Sequence, residues 1–579
     1  MLPLVLAAVA VALPLERYSV SGDGPALAVE LGGAGFDVVE GSIEPHALQV
    51  VVTPGERALL HARGLPMRRL AVGRPLDQGA SVAGGYPDLA SVEAALSACE
   101  LEYPDICAVV DLTDWLGVDP TEEGRHQYAV HISDAPDVLE DEPGFFLVGN
   151  HHARELVTPL ASLAVMERLT EGYGVDPEVT GAVDGWSIWI APVWNPDGYT
   201  AVFEVDNLWR KNRRVFADGI GVDLNRNYPT GWSGECGGSD EVADNTYRGP
   251  SAASEAETRA AMGLAELVHL PSILDLHSYG QEVVYGSPCL EHPFGDYVMQ
   301  EAIALSFAAG YGGEARLASA DGEHFEWHQL DRGSYAFLLE IAQDFQPPLP
   351  AAEAEAERVW SATRWMLARP FALSGHVLDA CTEAPIGATL TLASDEGSMV
   401  IEPSVQHGRF DLMVPDGTYE VWAEAADRLP VSETVDVEAG VTAVVELRMA
   451  VEEVCDGLDT DCDGVLPEDE QDRDGDGMAA CQGDCADDDA SSFAGAEELC
   501  DGIDNDCDGA VDEQACDTGP GALDTADTGG GEPTTPSGDS AHATLVGSGC
   551  GCAGSGPVGP AWLWMGLFVL GRRGAGRPR

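Results

Sequence analysis

The order of apolar and polar positions divides the first 372 residues into a small N-terminal unit and a larger α/β region. In residues 16–85 the β-type run Ala47–Val52 precedes an amphipathic segment over 54–64, which predicts an α+β unit. In residues 86–372 short apolar runs alternate with helical periods, as in a mixed sheet buried on both faces. The predicted strands are Phe145–Val148, Ser187–Pro192, Ile273–Leu276 and Tyr335–Leu339, and the predicted covering helices are Leu156–Thr170 and Ser254–His269.

Residues 373–450 have a different pattern, in which apolar and polar positions alternate over short stretches separated by turn residues. A period of two with frequent turns is typical of antiparallel strands. We therefore expect a small antiparallel β-sandwich. Its predicted strands are Ala388–Leu392, Arg409–Val414, Tyr419–Trp422 and Ala443–Leu447.

Residues 451–517 are acidic, rich in cysteine and repetitive. The segment Cys455–Gly464 recurs as Cys500–Gly509, and between the copies Asp472, Asp474 and Asp476 alternate with Arg473, Gly475 and Gly477. Carboxylates in flexible loops suit Ca²⁺. So little apolar sequence cannot form a core, so the region requires bridges of the Cys455 to Cys462 and Cys500 to Cys507 type, ions, or both. The alternative is a solvated acidic spacer.

The two ends of the chain predict targeting segments. An apolar run over residues 2–13 contains Ala10-Val11-Ala12 and predicts a signal peptide over 1–15, although a basic n-region is missing and a hydrophobic core strand is the alternative. Residues 518–549 predict a flexible linker. Residues 550–579 contain Cys550-Gly551-Cys552, an apolar patch too short for a comfortable membrane span, and Arg572-Arg573.

Charge and cysteine content limit the classes of binding partner and the cellular compartment that we expect for this protein. The 579 residues include 99 acidic and only 29 basic side chains, a formal charge of −70, which excludes nucleic acid as a reasonable partner. Half of the 14 cysteines fall between Cys455 and Cys516. Dense cysteine in a short acidic stretch indicates an oxidising, extracytoplasmic location, so we expect a secreted protein.

Several polar residues lie where predicted strands end, which is where ligands collect in open α/β sheets. His152 and Glu155 follow the strand at 145–148 with a spacing found among metal ligands, and His151 could substitute for His152. His277 directly follows another strand. Glu340 ends a third strand on the face of Ala336 and Leu338, where a carboxylate is out of place in a plain core strand.

In their order and spacing, six motifs resemble those of the M14 zinc carboxypeptidases. They are His151-His152-Ala153-Arg154-Glu155, Asn195-Pro196-Asp197-Gly198-Tyr199, Leu208-Trp209-Arg210-Lys211, Asp223-Leu224-Asn225-Arg226-Asn227, Leu276-His277-Ser278-Tyr279 and Tyr335-Ala336-Phe337-Leu338-Leu339-Glu340. The resemblance implies an α/β fold with a mixed eight-stranded sheet and one catalytic Zn²⁺. It selects His152, Glu155 and His277 as the zinc ligands, the His₂Glu set of carboxypeptidase A.

The same resemblance assigns roles to the remaining motif residues. Glu340 matches the general base and Arg210 the residue that stabilises the oxyanion. Asn225 and Arg226 match the pair that binds the terminal carboxylate of a substrate, and Arg154 matches a secondary substrate-binding arginine. Asp223 matches the carboxylate that orients the first histidine ligand. The implied activity is hydrolysis of the C-terminal peptide bond of peptides or proteins.

Two positions depart from the family or set its specificity. Ala318 stands where a mobile tyrosine normally closes over substrate, and Phe325 falls at the residue that sets side-chain preference. Phe325 predicts apolar or aromatic C-terminal residues, unless Glu323 or Glu326 reaches the pocket through a shift of register.

Other segments resemble accessory parts of related proteins. Residues 16–85 resemble a carboxypeptidase prosegment, with an ordinary accessory domain as the alternative, and residues 373–450 resemble a transthyretin-like domain. Residues 451–517 resemble Cys-Asp-Gly metal-binding repeats, and residues 550–579 resemble a myxobacterial-type sorting tag that retains proteins at the cell surface. Two further hypotheses remain: a peptidase for peptidoglycan stem peptides on the same zinc site, and an inert peptidase-like, calcium-binding adhesion protein.

Overall fold

The computed structural model describes residues 14–76, 85–234, 236–295 and 297–513. The predicted linker and sorting tag, and all but the last two residues of the predicted signal peptide, lie outside the described residues. Within the described residues, no helix has the length and apolar character required to cross a bilayer.

The N-terminal unit is the predicted α+β structure. Its strands form a four-stranded sheet in the order β2-β3-β1-β4, with two helices packed on it. The second helix begins at a capping box in which Thr53 and Glu56 satisfy each other's backbone amides, and Pro54 occupies its first turn. The elements are β1 (Glu16–Ser21), α1 (Gly24–Gly32), β2 (Asp37–Glu44), β3 (Ala47–Val52), α2 (Pro54–Ala62) and β4 (Met67–Val72).

The central region is a mixed eight-stranded sheet flanked by helices. The first half contains α3 (Leu89–Glu102), β5 (Cys107–Asp111), α4 (Leu112–Leu116), β6 (Tyr128–Ile132), β7 (Gly144–Gly149), α5 (Val157–Gly172), α6 (Pro177–Val183), β8 (Ser187–Ala191) and α7 (Pro196–Glu204). The second half contains α8 (Ala256–Leu267), β9 (Ser272–Ser278), β10 (Glu282–Tyr285), α9 (Val298–Tyr311), β11 (Glu314–Leu317), α10 (His324–Asp331), β12 (Tyr335–Ile341) and α11 (Leu349–Leu367).

The strand order of this sheet, β11-β10-β12-β9-β7-β8-β6-β5, places the three motif-bearing strands side by side. β9 lies parallel to β7 on one side and to β12 on the other. All four strands predicted from apolar runs are confirmed. Each strand is buried along its whole length, which explains why its sequence is apolar. Two hydrophobic clusters cover the faces of the sheet, with Phe337 and Leu339 in one and Ala336 and Leu338 in the other.

The region after residue 372 forms two packed sheets of three and four strands, in the orders β16-β13-β19 and β15-β14-β17-β18. The predicted sandwich is present, but β13 and β19 run parallel, so the expectation of purely antiparallel strands is wrong for this pair. The strands are β13 (Leu373–Asp379), β14 (Thr389–Ser394), β15 (Gly397–Ile401), β16 (Arg409–Leu412), β17 (Gly417–Glu424), β18 (Val431–Val437) and β19 (Ala443–Met449).

The acidic region contains turns, short 3₁₀ segments and disulfide bonds. The bridges join Cys455 to Cys481 and Cys485 to Cys507, and Cys462 pairs with Cys381 of the sandwich. The predicted bridges of the Cys455–Cys462 and Cys500–Cys507 type are therefore wrong, because Cys455, Cys462 and Cys507 pair with more distant partners. In the central region Cys99 pairs with Cys107, and Cys236 with Cys289.

Candidate active site

The three side chains predicted as zinc ligands meet at the carboxyl ends of β7 and β9. His152 Nδ1 lies 2.9 Å from Glu155 Oε1 and 3.0 Å from His277 Nδ1. His277 Nδ1 lies 3.3 Å from Glu155 Oε2. All three residues are buried. Two imidazole nitrogens and one carboxylate therefore converge, which is the donor set of a catalytic zinc site with an open fourth position.

The charges of this cluster fit a cation at its centre. Burial alone would raise the pKa of Glu155, but His152 and His277 lower it far below its usual value, so the carboxylate is ionised. Burial would lower the pKa of His277, yet Asp275 and Glu155 raise it well above its ordinary value. Two imidazole nitrogens 3.0 Å apart require a proton or a metal ion between their lone pairs. The donor set therefore fits Zn²⁺.

His151, the alternative first ligand, points elsewhere. Its Nδ1 lies 3.1 Å from Asp275 Oδ1 and its Nε2 lies 3.1 Å from the Tyr228 hydroxyl. His151, Asp275 and His277 also form a compact group of metal-ligand residues. However, His152 is the histidine whose nitrogen faces Glu155.

Asp223 connects the first ligand to Arg210. His152 Nε2 lies 3.2 Å from Asp223 Oδ1. Asp223 Oδ2 accepts a hydrogen bond from Arg210 Nε at 2.9 Å and lies 2.8 Å from Arg210 Nη2. Burial opposes ionisation of Asp223, but Arg210 and His152 hold its pKa well below the usual range. The carboxylate is thus fixed as an acceptor behind the ligand, and Arg210 is held at the cavity wall.

Asn225 and Arg226 lie in a 3₁₀ turn that follows Asp223, and both line the same cavity. Arg226 Nη1 donates to the backbone oxygen of Asn225 at 2.6 Å and to Glu323 Oε1 at 2.8 Å. Arg226 is 7% exposed and lines the cavity, so its charge is largely shielded from bulk water. A planar cation in this position suits a terminal carboxylate.

Glu340 reaches the site through the register of the sheet. In the parallel pair of β9 and β12, Glu340 is the direct partner of His277. Glu340 is 9% exposed and lines the cavity together with the three metal-ligand candidates. A carboxylate is therefore held beside the zinc site, as a general base requires.

The cavity has a volume of about 610 Å³ and contains an apolar wall. Ala318, at the family's tyrosine position, lines it together with Val284, Pro288 and Leu338. Phe325 is fully buried in a hydrophobic cluster and lies outside the residues that line the cavity.

The two acids near Phe325 differ in position. Glu323 lines the cavity and pairs with Arg226. Glu326 is turned inward, where its carboxylate accepts from the Gly322 amide. Burial, with help from Asp321 and Glu323, raises the pKa of Glu326 to about 10, so this side chain is neutral at pH 7.

The N-terminal unit covers the site. Asp37, at the start of β2, accepts two hydrogen bonds from Arg154, at 2.6 and 2.9 Å, and its Oδ1 lies 3.7 Å from Arg210 Nη1. Asn245 Nδ2 also donates to Asp37, at 3.2 Å. Burial opposes the charge of Asp37, but Arg154 and Arg210 lower its pKa, so the carboxylate is ionised against the two arginines.

Further contacts hold this unit in place. Arg17 bonds to the Tyr279 hydroxyl at 2.7 Å and to Asp344 at 2.8 Å. A Cβ atom on Gly41 would meet the Tyr279 carbonyl oxygen at 1.9 Å, so the backbones approach too closely for any other residue at position 41.

Sequence reasoning missed two residues of the site, Asp37 and Asp275. Asp275 carried a usable signal, because it is an acid within the otherwise apolar run Ile273–Leu276. Asp37 carried no sequence signal, because its partner Arg154 is 117 residues away. Glu323 was considered only as a possible part of the specificity pocket.

In the acidic region Asp472, Asp474 and Asp476 belong to one loop. Gly475 and Gly477 donate backbone hydrogen bonds to Asp472, at 2.7 and 3.0 Å, and both glycines have positive φ. One oxygen each of Asp474, Asp476 and Asp484 is buried without a hydrogen-bond partner, and Asp484 is only 6% exposed.

Residues 92–348 match a family model described as "Zinc carboxypeptidase". This range contains every residue described above for the zinc site, the base and the carboxylate clamp. Residues 92–348 are therefore similar to a zinc carboxypeptidase domain.

Curated relatives match this domain over part of their length. A metallocarboxypeptidase A-like protein of Trichophyton verrucosum is 35% identical over 194 residues, covering 32% of this chain and 44% of the relative. Carboxypeptidase B of Homo sapiens is 33% identical over 172 residues, covering 29% and 40%. Carboxypeptidase A1 of Bos taurus is 28% identical over 244 residues, covering 40% and 57%. The chain thus spans about half the length of the curated relatives it matches.

Solved structures share the fold. The crystal structure of thrombin activatable fibrinolysis inhibitor matches with a TM-score of 0.51 and 19% identity, covering 62% of this chain and 98% of that one. Carboxypeptidase A from Helicoverpa armigera matches with a TM-score of 0.50 and 21% identity, covering 61% and 97%. The central region therefore has the expected mixed sheet flanked by helices.

A second family model, described as "Putative metal-binding motif", matches residues 450–468 and 484–513. The two matched parts contain the Cys-Asp-Gly repeats. The loop of Asp472, Asp474 and Asp476 lies between them.

Proposed function

We propose that this protein is a zinc carboxypeptidase that removes single residues from the C-termini of peptides. The observation that carries the proposal is the shared cavity of His152, Glu155, His277, Arg226 and Glu340. A zinc-ligand set alone fits many hydrolases. A buried arginine in the same cavity, able to bind a terminal carboxylate, favours an exopeptidase.

The chemistry follows from where each group lies. Zinc bound by His152, Glu155 and His277 would lower the pKa of a water molecule and polarise the scissile carbonyl. Glu340 would accept the proton of the attacking water and deliver it to the departing amine. Arg210, held by Asp223, would stabilise the developing oxyanion, and Arg226 with Asn225 would hold the terminal carboxylate.

The preferred C-terminal residue is proposed to be apolar or aromatic. The wall formed by Val284, Pro288, Ala318 and Leu338 supports this preference, in place of Phe325, which does not line the cavity. Glu323 also lines the cavity, but it is paired with Arg226 at 2.8 Å. An acid already neutralised by a cation is a poor determinant for lysine or arginine substrates.

The N-terminal unit is proposed to keep the enzyme latent until it is removed. Asp37 occupies Arg154 and approaches Arg210, two residues assigned to substrate and to the oxyanion. Substrate would have to displace a buried, ionised carboxylate from the first of these arginines. This placement favours a prosegment over an ordinary accessory domain.

The deciding experiment compares the wild type with Glu340→Gln, before and after mild proteolysis that releases the N-terminal unit. Zinc content is measured together with release of C-terminal residues from blocked dipeptides with apolar, basic and acidic ends. One equivalent of zinc, hydrolysis of apolar substrates after release, and loss of hydrolysis in the variant are the expected results. Zinc-loaded, released wild type that cleaves only muropeptides would redirect the assignment to peptidoglycan stem peptides. Zinc-loaded protein that cleaves neither class would favour an inert, calcium-binding surface protein.

We also propose that the acidic region binds calcium. The partnerless oxygens of Asp474, Asp476 and Asp484, and the close group of Glu453, Asp459 and Asp461, provide hard oxygen donors. Titration of the full chain with Ca²⁺, followed by calorimetry, is expected to show binding that Asp474→Asn weakens and that Asp469→Asn, at an exposed neighbouring site, leaves unchanged. Tighter binding of Cu²⁺ than of Ca²⁺ would contradict this choice of ion.

Export to the cell exterior is proposed from the disulfide bonds, two of which lie in the central region and three of which involve cysteines of the acidic region. Retention at the bacterial surface through residues 550–579, and a transthyretin-like identity for the β-sandwich, are proposed from sequence resemblance. Fractionation of producing cells, with and without residues 550–579, tests retention: the truncated protein is expected in the medium.

A further inference from the structure

Asp275 lies at the centre of a buried group of histidines behind the zinc site. Its Oδ1 lies 3.1 Å from His151 Nδ1 and 3.3 Å from His277 Nε2, and its Oδ2 lies 3.1 Å from His324 Nδ1. The side chains of all four residues are at most 1% exposed. Three imidazoles therefore surround one carboxylate from which bulk water is excluded.

His277 Nε2 has two neighbours, one of which requires a hydrogen on this nitrogen and the other a lone pair. Asp275 Oδ1, at 3.3 Å, can only accept a hydrogen, so it requires a hydrogen on Nε2. Asn225 Nδ2, at 3.4 Å, can only donate, so it requires a lone pair there. The Asn225 amide cannot simply be reversed, because its Oδ1 accepts from the His324 backbone amide at 2.9 Å.

The two demands have different consequences for zinc. When Nε2 carries the hydrogen, Nδ1 presents a lone pair to His152 and Glu155, where the metal would bind. When Asn225 donates to Nε2, the hydrogen of a neutral ring moves to Nδ1, which then cannot act as a ligand. Whether Asp275 or Asn225 forms the hydrogen bond with Nε2 therefore decides whether His277 can bind zinc.

We propose that Asp275 is the positioning residue that selects the ligand tautomer of His277 against the opposing hydrogen bond of Asn225. The inference rests on the zinc site of the proposed function. It assigns to the third ligand the kind of support that Asp223 gives to His152, whose Nε2 lies 3.2 Å from that carboxylate. Each histidine ligand then has its own buried acid.

The surrounding side chains hold Asp275 in this role. The Tyr228 hydroxyl, 3.1 Å from His151 Nε2, can donate there, which leaves the hydrogen of His151 on Nδ1 for Asp275. His324 Nδ1 binds the other carboxylate oxygen and is carried by α10. Asp275 is thus fixed from two sides while Oδ1 remains directed at His277.

The test measures zinc affinity of the full chain by competition with a chelator, so it does not depend on peptidase activity. Asp275→Asn is expected to weaken zinc binding about 10- to 100-fold, the usual effect of losing such a partner. His324→Phe, which removes one support but keeps the contact with His277, is expected to weaken it no more than about fivefold. Unchanged affinity in folded Asp275→Asn would overturn the inference.

A double variant separates tautomer selection from a merely structural role. If Asn225 imposes the wrong tautomer once Asp275 is neutralised, Asn225→Ala added to Asp275→Asn should restore at least part of the lost affinity. A double variant as weak as Asp275→Asn, or weaker, would contradict selection between the two side chains.

A measurement on the wild type decides the matter if Asp275→Asn does not fold. In the zinc-loaded chain with ¹⁵N-labelled histidine, the Nε2 hydrogen of His277 should show the downfield shift and slow exchange of a hydrogen bond to a buried carboxylate. An ordinary shift with rapid exchange would overturn the inference. A wild type that binds no zinc would instead refute the proposed function.

Discussion

The carboxylate of Asp37 and the guanidinium of Arg154 form a two-point hydrogen-bonded pair, with distances of 2.6 and 2.9 Å. Both side chains are 1% exposed, and Arg154 also lies over the Phe345 ring at 4.3 Å. One acid of the N-terminal unit is therefore buried against the cations of the central region.

Asp37→Ala is expected to raise the activity of the uncleaved chain. Removing one partner of a buried ion pair costs about 3 to 5 kcal/mol, and here that loss weakens docking of the N-terminal unit. We expect kcat/KM on a blocked dipeptide to rise at least about tenfold, as 1.4 kcal/mol corresponds to a factor of ten. Glu30→Gln, an exposed substitution in the same unit, is the matched control. Equal activity of Asp37→Ala and the wild type would argue against latency through this contact.

Glu340→Gln is expected to remove most of the activity and to leave zinc bound. Its carboxylate lies beside His277 in the sheet, but the ligand atoms come from other residues. Loss of a general base reduces kcat by about 10² to 10⁴. The measurements are kcat on the released enzyme and zinc content. A variant that loses its zinc would show that Glu340 acts in metal binding and not as a base.

Arg226 and Arg210 are expected to affect different kinetic constants. Arg226→Ala should raise KM more than it lowers kcat, because a terminal carboxylate is present in both substrate and transition state. Arg210→Ala should lower kcat by about 10² to 10³, because the oxyanion forms only along the reaction. Steady-state kinetics on a substrate with a free terminal carboxylate, and on its amide, check both. If the wild type and Arg226→Ala discriminate equally between acid and amide, Arg226 does not bind the terminal carboxylate.

Glu257→Gln is expected to stabilise the protein in alkaline but not in acidic solution. Glu257 is 2% exposed, and burial together with nearby Glu255 raises its pKa from 4.5 to about 8. An acid with a raised pKa favours folding while protonated, so its destabilising effect begins as pH rises above 4.5 and is complete above about 8. At about 1.4 kcal/mol for each pKa unit, the charged form costs on the order of 2 to 5 kcal/mol.

Thermal unfolding of the wild type and Glu257→Gln at pH 5 and pH 9 measures this effect. The variant should have the higher Tm at pH 9, while the two should nearly coincide at pH 5. Glu266→Gln, on the exposed face of the same helix, is the control and should change neither value. A Glu257→Gln effect of equal size at both pH values would exclude titration of Glu257 as its cause.

The strands of the central sheet could be predicted from the sequence where both of their faces are buried. The four apolar runs predicted as strands include β9 and β12, which are covered on both faces by the two hydrophobic clusters. The parallel pairing of β13 with β19 was not predicted, because an alternating strand gives no information about the direction of its neighbour. The disulfide pairs of the acidic region were also not accessible, since repeat symmetry favoured bridges within each copy.

The candidate site was predictable as far as each residue belonged to a local motif. His152 and Glu155 are three residues apart, and the surrounding motif selected them over His151. Asp37 acts on Arg154 across 117 residues, and no local pattern encodes that contact. Asp275 was visible in the sequence only as an acid within an apolar run, because its contacts with His151 and His324, 124 and 49 residues away, have no local pattern. Alignment with the family placed Phe325 at the specificity position. In the structure the start of α10 directs that side chain into the core and leaves Glu323 at the cavity.

In the proposed enzyme, the direct pairing of Glu340 with His277 would make catalytic activity a measure of strand register. A slip of β12 by one residue would turn Glu340 to the opposite face of the sheet and place Leu339 or Ile341 beside the metal ligand. Such a chain could retain its compactness, its helices and even its zinc, yet it would have no base within reach of the bound water. The activity of a refolded sample would therefore come only from molecules in which β9 and β12 have paired in the correct register. Molecules with a shifted register would contribute no activity.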